Sequence, residues 1–330
     1  MNLKKLREQF PNETVCRKFM ENIIWRNGRF CPNCQCTRSW PIRGKTSRPG
    51  LYECAECKRQ FTITTRTPMH STKLPLWVWI QAMHLISYSS KGISSNVLGR
   101  FIGVSQKSAW KIGHAIRALM TPDHPNTALL DGIVELDEKY LGGKPRYQEG
   151  IIHKRGKGTD KQAILIAAER GGEVRTELIN SDKREELEPI IERLIDKNSH
   201  LMTDKSRSYI KIGEKYTEHS SVNHSAKEFA RDDVYNNTAE SFGSMLERAR
   251  IGVFHQISSI HLPRYLGEAE FRWIHRVPVE NKSGSKPRKK RWKPKPVLEM
   301  LTTMFGACYN RQLRRSINGG ILDIVPVIVS

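Results

Sequence analysis

Long hydrophobic runs are missing from this chain of 330 residues. The longest apolar run extends from Leu74 to Ile86, includes Gln81 and His84, and is shorter than the ~20 residues of a transmembrane helix. The first residues, MNLKKLRE, lack the apolar core that is typical of a signal peptide. No internal repeat is visible. We therefore expect a cytoplasmic protein without a membrane partner.

Acidic residues are scarce relative to basic ones. The chain has 34 Asp and Glu against 55 Lys and Arg, which gives a formal net charge of +21. A surplus of this size favours a polyanionic partner, because each phosphate that a Lys or Arg neutralises releases counterions. A basic cytosolic protein without a nucleic-acid role is the alternative.

Cysteine is infrequent, but most of the seven cysteines lie close together in the sequence. They include two CxxC pairs, Cys31 with Cys34 and Cys54 with Cys57. This spacing suits a tetrahedral four-sulfur zinc site, although Cys36 is an alternative ligand to Cys34. A closed site of this kind has no open coordination position, so we expect Zn²⁺ to be structural and to stiffen a small ribbon. Cys16 and Cys308 are interpreted as ordinary buried thiols.

Residues 94–119 have the layout of a helix-turn-helix. Ser94 and Ser105 can each cap a helix, and Gly103 supplies the turn between them. We expect residues 105–119 to form the recognition helix. The side chains that can reach bases or phosphates are Gln106, Lys107 and Lys111. The positions interpreted as core are Trp110, Ile112 and Ile116. The alternative is a helical hairpin that only packs.

Three carboxylates occupy positions that suit metal-dependent chemistry. Asp137 follows the apolar run 132–136, and Asp204 follows the short run 200–203. Glu240 lies at the predicted start of a helix. Two aspartates at strand ends and a glutamate on a following helix can hold two divalent ions, which is the apparatus for cutting and joining phosphodiesters. Glu138, beside Asp137, is interpreted as a solvated carboxylate.

Three blocks of sequence resemble the zinc-ribbon DDE transposases of bacterial insertion sequences. The first block is VELDEKYLGGK, residues 134–144, and the second is TDKSRSY, residues 203–209. The third begins with NTAESFGSMLER at residues 237–248 and continues through residues 252–266 and 270–273. The resemblance covers roughly residues 10–276, including the cysteine ribbon and the helices after it.

The resemblance implies a two-metal transesterification with Mg²⁺ or Mn²⁺. Asp137 would contact both ions from the central strand, and Asp204 would hold one from the neighbouring strand. Glu240 or Asn237 would complete the site from the helix. The implied partners are double-stranded DNA, as element ends and as target, and a second copy of the chain, because a synaptic complex needs a homodimer or a larger oligomer. Association with the bacterial nucleoid follows from these partners.

The implied fold class is α/β, with an RNase H-like mixed-sheet catalytic domain preceded by a zinc ribbon and a helical, helix-turn-helix-like region. The predicted order is a helical lead (1–27), the zinc ribbon (28–66), the helical region (67–120), a linker (121–131), the catalytic domain (132–280), a basic insert (281–296) and a C-terminal segment (297–330). Strands are predicted at 132–137, 162–168, 174–179, 200–203 and 218–223, with helices at 184–196, 205–215 and from 237.

Further candidates for DNA contact lie in the second half of the chain. They are Lys144, Arg146, Arg248, Arg250, His255, His261, Arg264, Arg288, Lys289, Lys290, Arg291 and Trp292. Residues 142–146 suit a tight strand turn with phosphate-facing cations rather than a nucleotide-binding loop. The insert 281–296 is predicted to be disordered without a partner and to clamp phosphates, with Trp292 stacking on a base or sugar. A solvated tail is the alternative there, and packing is the alternative for the two histidines.

One departure from the family pattern affects the predicted activity. The family tends to place a lysine shortly after the glutamate, whereas this chain has Glu247 at that position. Arg248 or Arg250 is the predicted substitute. The leading hypothesis is a transposase that binds terminal inverted repeats and carries out strand cleavage and transfer. The alternatives are an inactive, repurposed transposase that only binds DNA, and an RNase H-like nuclease.

Overall fold

The computed structural model describes residues 1–121, 128–142, 161–222, 230–231, 234–279, 291–309, 311–315 and 322–324. The chain divides into two compact units. The first comprises Met1–Ser89, Ile93–Met120 and His275–Ser330, and the second comprises Ser90–Gly92 and Thr121–Ile274. The C-terminal residues therefore group with the N-terminal ones, although the predicted linear order treated them as separate segments.

The first unit combines helices with a small sheet. Its helices are α1 (Leu3–Gln9), α2 (Glu13–Ile24), α3 (Leu76–Tyr88), α4 (Ser95–Ile102), α5 (Gln106–Met120) and α10 (Val297–Gly306). Asn2 and Asn12 accept backbone hydrogen bonds at the starts of α1 and α2. The Glu13 carboxylate accepts a bond from Leu76 N at 2.9 Å, which ties α2 to the start of α3.

The sheet of the first unit is the expected ribbon. Its antiparallel strands are β1 (Ser39–Pro41), β2 (Tyr52–Cys54) and β3 (Gln60–Phe61), in the order β1-β2-β3. Phe61 is buried beside Cys31 and Cys54, with Trp25 and Tyr52 packed around them. This apolar cluster is small, which agrees with a ribbon that depends on its cysteines.

The second unit contains a five-stranded sheet of mixed direction. Its strands are β4 (Ile133–Leu141), β5 (Gln162–Glu169), β6 (Val174–Ile179), β7 (His200–Asp204) and β8 (Glu218–Val222), in the order β6-β5-β4-β7-β8. The central strand β4 is antiparallel to β5 and parallel to β7. An antiparallel meander followed by parallel strands on the other side of the first strand is the RNase H-like arrangement, so this prediction is confirmed.

Helices cover both faces of that sheet. One face packs against α6 (Arg184–Leu194) and α7 (Arg207–Gly213) through a cluster that includes Leu136 and Tyr209. The other packs against α8 (Asn237–Ala249) and α9 (Leu262–Ile274) through a cluster that includes Ile166 and Phe242. A π-helical turn (Arg250–Phe254) and a 3₁₀ turn (Ser259–His261) connect α8 to α9.

Short hairpins complete the described chain. They pair β9 (Ala230–Arg231) with β10 (Val234–Tyr235), β11 (Arg276–Pro278) with β12 (Trp292–Pro294), and β13 (Leu313–Arg315) with β14 (Leu322–Ile324). The prediction of disorder throughout 281–296 is therefore wrong for residues 292–294, because backbone pairing with β11 orders them. Residues 281–290, with Arg288, Lys289 and Lys290, lie outside the described residues. Within the described part of the chain, no helix is long and apolar enough to span a membrane.

Candidate active site and nucleic-acid interface

Three elements of the second unit bring the predicted carboxylates towards one region. Asp137 lies in the middle of β4, Asp204 ends the neighbouring parallel strand β7, and Glu240 lies in the first turn of α8. Side chains alternate along a strand, and the even-numbered Val134 and Leu136 face α6 and α7. Asp137 therefore faces α8, the helix that carries Glu240.

The electrostatics of Asp137 show that these carboxylates influence one another. Burial and the negative charges of Glu240 and Asp204 raise the pKa of Asp137 from its ordinary 3.8 to about 6, although Lys139 opposes the rise. Asp204 Oδ1 also accepts a hydrogen bond from Ser206 N at 3.1 Å. The region thus concentrates negative charge, an arrangement that a bound cation would stabilise.

The carboxylates are more widely spread than the ligands of a closed metal site. Among the described residues, one group of three or more possible metal ligands has all of its donor atoms within 4.8 Å of one another. That group consists of cysteines. The carboxylate oxygens of the three predicted residues, Asp137, Asp204 and Glu240, do not all lie within 4.8 Å of one another. Glu240 and Asn237 are both exposed on α8. Neighbouring Asn236 is buried instead, and its Nδ2 donates to the Leu136 carbonyl at 2.7 Å.

Glu135, which was not among the residues predicted from the sequence, fixes the start of α8 to β4. Its side chain is fully buried on the same face as Asp137. One carboxylate oxygen accepts bonds from Thr238 N at 2.6 Å and Ala239 N at 3.1 Å, and the other accepts the Thr238 hydroxyl at 3.0 Å. These backbone amides lack partners within the helix, so Glu135 acts as its N-terminal cap from another element. The sequence signal for this role was a charged residue, Glu135, inside the apolar run 132–136.

Arg170 neutralises this buried carboxylate. Its Nε lies 2.7 Å from Glu135 Oε1, and its Nη2 donates to the Tyr235 carbonyl at 2.8 Å. The guanidinium also stacks 3.6 Å above the Tyr235 ring. The pair therefore links β4, the residue that follows β5 and the chain just before α8, and it positions the helix that carries Glu240.

The interpretation of Glu138 as a solvated carboxylate is wrong. On the opposite face of β4, Glu138 accepts a hydrogen bond from the buried Tyr209 hydroxyl of α7. Burial raises the pKa of Tyr209 well above its usual range, and Glu138, Asp204 and Asp137 raise it further. Tyr209 therefore stays protonated and serves as a donor beneath the carboxylate region.

The cysteines of the first unit form the predicted cluster. Cys31 Sγ lies 3.6 Å from Cys57 Sγ, and Cys34 Sγ lies 3.5 Å from Cys54 Sγ. Four sulfurs bound to zinc at ~2.3 Å would be separated by about 3.8 Å, so the spacing fits a tetrahedral ion. Cys36 stands outside this group, with its Sγ 3.5 Å from the Arg38 carbonyl. The two remaining cysteines, Cys16 and Cys308, are buried as predicted.

The helix-turn-helix layout is present in α4 and α5. Gly103 ends α4 in the left-handed conformation at φ 70°, and a Cβ at Gly99 would lie 2.8 Å from the Val104 carbonyl, so the turn is tight. Lys107 and Lys111 are exposed on the N-terminal half of α5. Gln106 is also exposed, but its Nε2 donates to Ser95 Oγ at 2.9 Å. The C-terminal half of α5 is buried, with Ile112 and Ile116, and Trp110 is partly buried.

The other basic candidates have different surroundings. Arg250 is held by Glu247 through two bonds, of 3.0 Å from Nε and 2.6 Å from Nη2, so its guanidinium is already engaged. Arg248 is exposed on α8, and His255 is exposed with a left-handed φ of 57°. His261 and Arg264 are partly buried near the start of α9. Lys144 and Arg146 lie outside the described residues.

Two exposed tryptophans of the first unit make cation–π contacts with basic side chains. Trp292 on β12 is 41 % exposed, and the Arg276 guanidinium lies 4.4 Å from its ring centre. Arg291, just before it, is exposed. Trp40 on β1 of the ribbon is 46 % exposed, with Lys58 Nζ 5.1 Å from its ring centre. Trp40 was not among the residues predicted from the sequence, although an aromatic residue in a polar ribbon was a usable signal.

Comparison with known proteins matches two parts of the chain to protein families. Residues 129–273 match the ISXO2-like transposase domain, and residues 11–60 match the transposase zinc-ribbon domain. A curated relative is 29 % identical over 265 residues, covering 72 % of this chain and 83 % of its own, and is described as an uncharacterized protein in transposable element ISH50 of Halobacterium salinarum.

Two solved structures are also similar to this chain. The Mos1 strand transfer complex has a TM-score of 0.30 and 13 % identity, over 59 % of this chain and 72 % of that chain. A pre-cleavage Mos1 transpososome has a TM-score of 0.29 and 14 % identity, over 59 % of this chain and 73 % of that chain.

Proposed function

Because this chain belongs to the zinc-ribbon DDE transposases with an ISXO2-like domain, we propose that it binds the terminal inverted repeats of an insertion sequence and cuts and joins DNA there. In this proposal Asp137, Asp204 and Glu240 hold two divalent ions, with Asn237 as a further oxygen ligand beside Glu240. The observation that carries the proposal is the placement of the three carboxylates: Asp137 on the central strand β4, Asp204 at the end of the neighbouring parallel strand β7, and Glu240 in the first turn of α8.

The donor set fits magnesium or manganese. All three side chains offer carboxylate oxygens, which these hard cations prefer, and their mutual repulsion is relieved by bound positive charge. When bound, two such ions activate an attacking oxygen and stabilise the leaving oxygen of a phosphodiester. Glu135 and Arg170 keep α8 in place while Glu240 contributes its charge.

Several exposed surfaces support double-stranded DNA as the substrate. The first turns of α5 present Lys107 and Lys111, and the ribbon presents Trp40 with Lys58. The formal charge of +21 favours phosphate binding over the whole chain. In the proposal, the first unit recognises the ends with structural zinc in its ribbon, and the second unit carries out the chemistry. Joining two ends requires a dimer or larger assembly.

The test replaces Asp137 by Asn, which preserves the shape of the side chain and removes its charge. We expect magnesium-dependent cleavage and strand transfer on duplexes bearing the element's ends to fall by about 100-fold or more, because an ion loses its central ligand. The matched control is Asp131→Asn, which removes an exposed carboxylate just before β4 and leaves activity unchanged.

Two results would contradict the proposal. If Asp137→Asn retains strand transfer, this carboxylate is not a metal ligand for the reaction. If the unaltered protein binds the ends but never cleaves them with magnesium or manganese, the repurposed DNA-binding protein is the better assignment. A preference for RNA–DNA hybrids over the ends would instead indicate a nuclease.

A further inference from the structure

Lys139 lies beside the carboxylates, inside the first sequence block (134–144), and none of the roles described above involves it in binding the substrate. It lies two residues after Asp137 on β4, so both side chains are on the face that α8 covers. Its aliphatic stem passes over Gly243, one turn beyond Glu240. A Cβ built at Gly243 would lie 3.5 Å from Lys139 Cδ and 3.8 Å from Cγ. The lysine stem therefore lies against α8 close to Gly243.

The surroundings of the Lys139 side chain are acidic. Asp137 lies two residues before it on the same face of β4, and α8, which covers that face, carries Glu240 and Glu247. Within the described part of the chain, no carboxylate oxygen lies within 4.0 Å of Lys139 Nζ, whereas many other cations of the second unit are in ion pairs. Lys139 is thus a half-buried cation held between negative charges without being locked to either of them.

The neighbouring cations are less suited to receive a substrate. Glu247 holds Arg250 through two hydrogen bonds, and Glu135 holds Arg170. Either arginine would have to break a charge-assisted pair before it contacted another anion, which opposes such binding. Of the two predicted substitutes for the family's lysine, Arg250 is therefore engaged, and Arg248 is exposed on α8.

We propose that Lys139 binds a non-bridging oxygen of a DNA phosphate at or next to the phosphodiester that is cut. The inference rests on the proposed function, because it assigns part of the substrate to the same site. A phosphate approaching three carboxylates is repelled, and a compact ammonium at the edge of the group offsets this repulsion. Its three N–H donors can follow the phosphate during reaction, whereas its stem stays packed over Gly243.

The test compares Lys139→Met, which keeps most of the stem and removes the charge, with Lys139→Arg, which restores a cation. Single-turnover cleavage is measured with magnesium on duplexes from the element's ends. A second series replaces single phosphates around the cleavage position by neutral methylphosphonates. We expect Lys139→Met to slow cleavage about 10- to 100-fold, the range for losing a hydrogen bond to a charged group, and Lys139→Arg to recover part of it.

The methylphosphonate series separates phosphate binding from a structural role. In the unaltered protein one neutral phosphate should slow the reaction, and in Lys139→Met the same replacement should add no further loss. The charge-matched control, Lys211→Met on the exposed side of α7, should behave as the unaltered protein does.

The inference is overturned if Lys139→Met cleaves at the normal rate, or if both proteins respond equally to every neutral phosphate. If Lys139→Met folds poorly, the methylphosphonate series on the unaltered protein still tests the inference. If no neutral phosphate around the cleavage position slows cleavage by that protein, Lys139 does not bind a phosphate there. If Asp137→Asn abolishes cleavage and Lys139→Met does not slow it, the inference about Lys139 is wrong and the proposed function still holds. Absence of any metal-dependent cleavage removes both.

Discussion

Single residues around Asp137 show how the second unit tolerates a concentration of buried charge. Glu135 is fully buried and pairs with the partly buried Arg170. Further hydrogen bonds join Glu135 to the start of α8 and Arg170 to the Tyr235 carbonyl. Asp137, two residues along, has no comparable pairing, and its pKa is raised. Glu135 therefore stabilises the fold, whereas the charge of Asp137 is held at a cost that a bound cation would reduce.

Breaking the buried pair should be costly. We expect Glu135→Gln to lower the free energy of unfolding by about 3–5 kcal/mol, because Arg170 keeps its charge without a partner. Chemical denaturation followed by circular dichroism measures the change. Glu177→Gln is the control, since its 2.8 Å contact with Arg193 is exposed and worth at most about 1 kcal/mol. Equal effects of the two substitutions would show that the buried pair has no special role in stability.

The pKa of Asp137 predicts an unusual dependence of stability on pH. The folded value of about 6 exceeds the ordinary 3.8, so the folded state binds the proton more tightly. The stabilisation of the folded protein by the Asp137 proton is complete below pH 3.8 and is lost as the pH rises through 6. Without added magnesium or manganese, Asp137→Asn should therefore be more stable than the unaltered protein near pH 8, by up to about 3 kcal/mol.

Melting curves across this pH range test that prediction, with Asp131→Asn as the control for loss of an acidic side chain. The advantage of Asp137→Asn should shrink as the pH falls below 6, and added magnesium should reduce it near neutral pH. A variant that is less stable than the unaltered protein at pH 8 would show that the Asp137 charge is not a source of strain.

Individual elements depend on different sources of stability. The ribbon strands contain only two or three residues each and enclose a small aromatic cluster beside the cysteines. Helices α4 and α5, in contrast, are capped, tightly connected and packed through α5. We therefore expect the ribbon to require an ion and the helix-turn-helix to fold through its own core.

Zinc content distinguishes the cysteines. We expect about one zinc ion per chain, lost in Cys31→Ser and retained in Cys36→Ser, because four sulfurs without Cys36 already complete a tetrahedral site. Metal analysis of the purified variants gives the stoichiometry, and proteolysis within residues 28–66 reports folding of the ribbon. Loss of zinc from Cys36→Ser, with retention in Cys34→Ser, would assign the ligand to Cys36.

The exposed start of α5 predicts a specific loss of electrostatic binding. Replacing both Lys107 and Lys111 by Gln should reduce the slope of log affinity against log salt by about 2, since each phosphate contact contributes ~0.9. Binding to a duplex is measured by fluorescence anisotropy at several salt concentrations. Lys4→Gln with Lys5→Gln, on the exposed side of α1, removes the same charge as the control. Identical slopes for the two double variants would exclude α5 from the DNA interface.

At the scale of the whole molecule, the chain joins two units of different character. The first contains the ribbon, the helix-turn-helix and the Trp292 hairpin, and the second contains the carboxylates. This separation matches a protein that recognises DNA with one part and reacts with it through another. Because the two ends of an element must be handled together, we expect one complex to hold two duplexes.

A mixture of a short and a long end duplex tests this expectation. If each complex holds two ends, native electrophoresis should resolve three species: short–short, short–long and long–long. Duplexes of unrelated sequence serve as the control and should give no mixed species. Two species only would mean that each complex holds one end.

The sequence by itself determined the parts whose signals are local. CxxC spacing located the cysteine cluster, capping serines and Gly103 located the helix-turn-helix, and strand periodicity located the strands, because each of these signals depends on neighbouring residues. Only the tertiary structure decided the surroundings of Asp137. Glu135 caps a helix 103 residues away, Glu138 meets Tyr209 across 71 residues, and Lys139 passes over Gly243. Strand alternation places these side chains on a face, but the helix that each one meets is set by long-range packing.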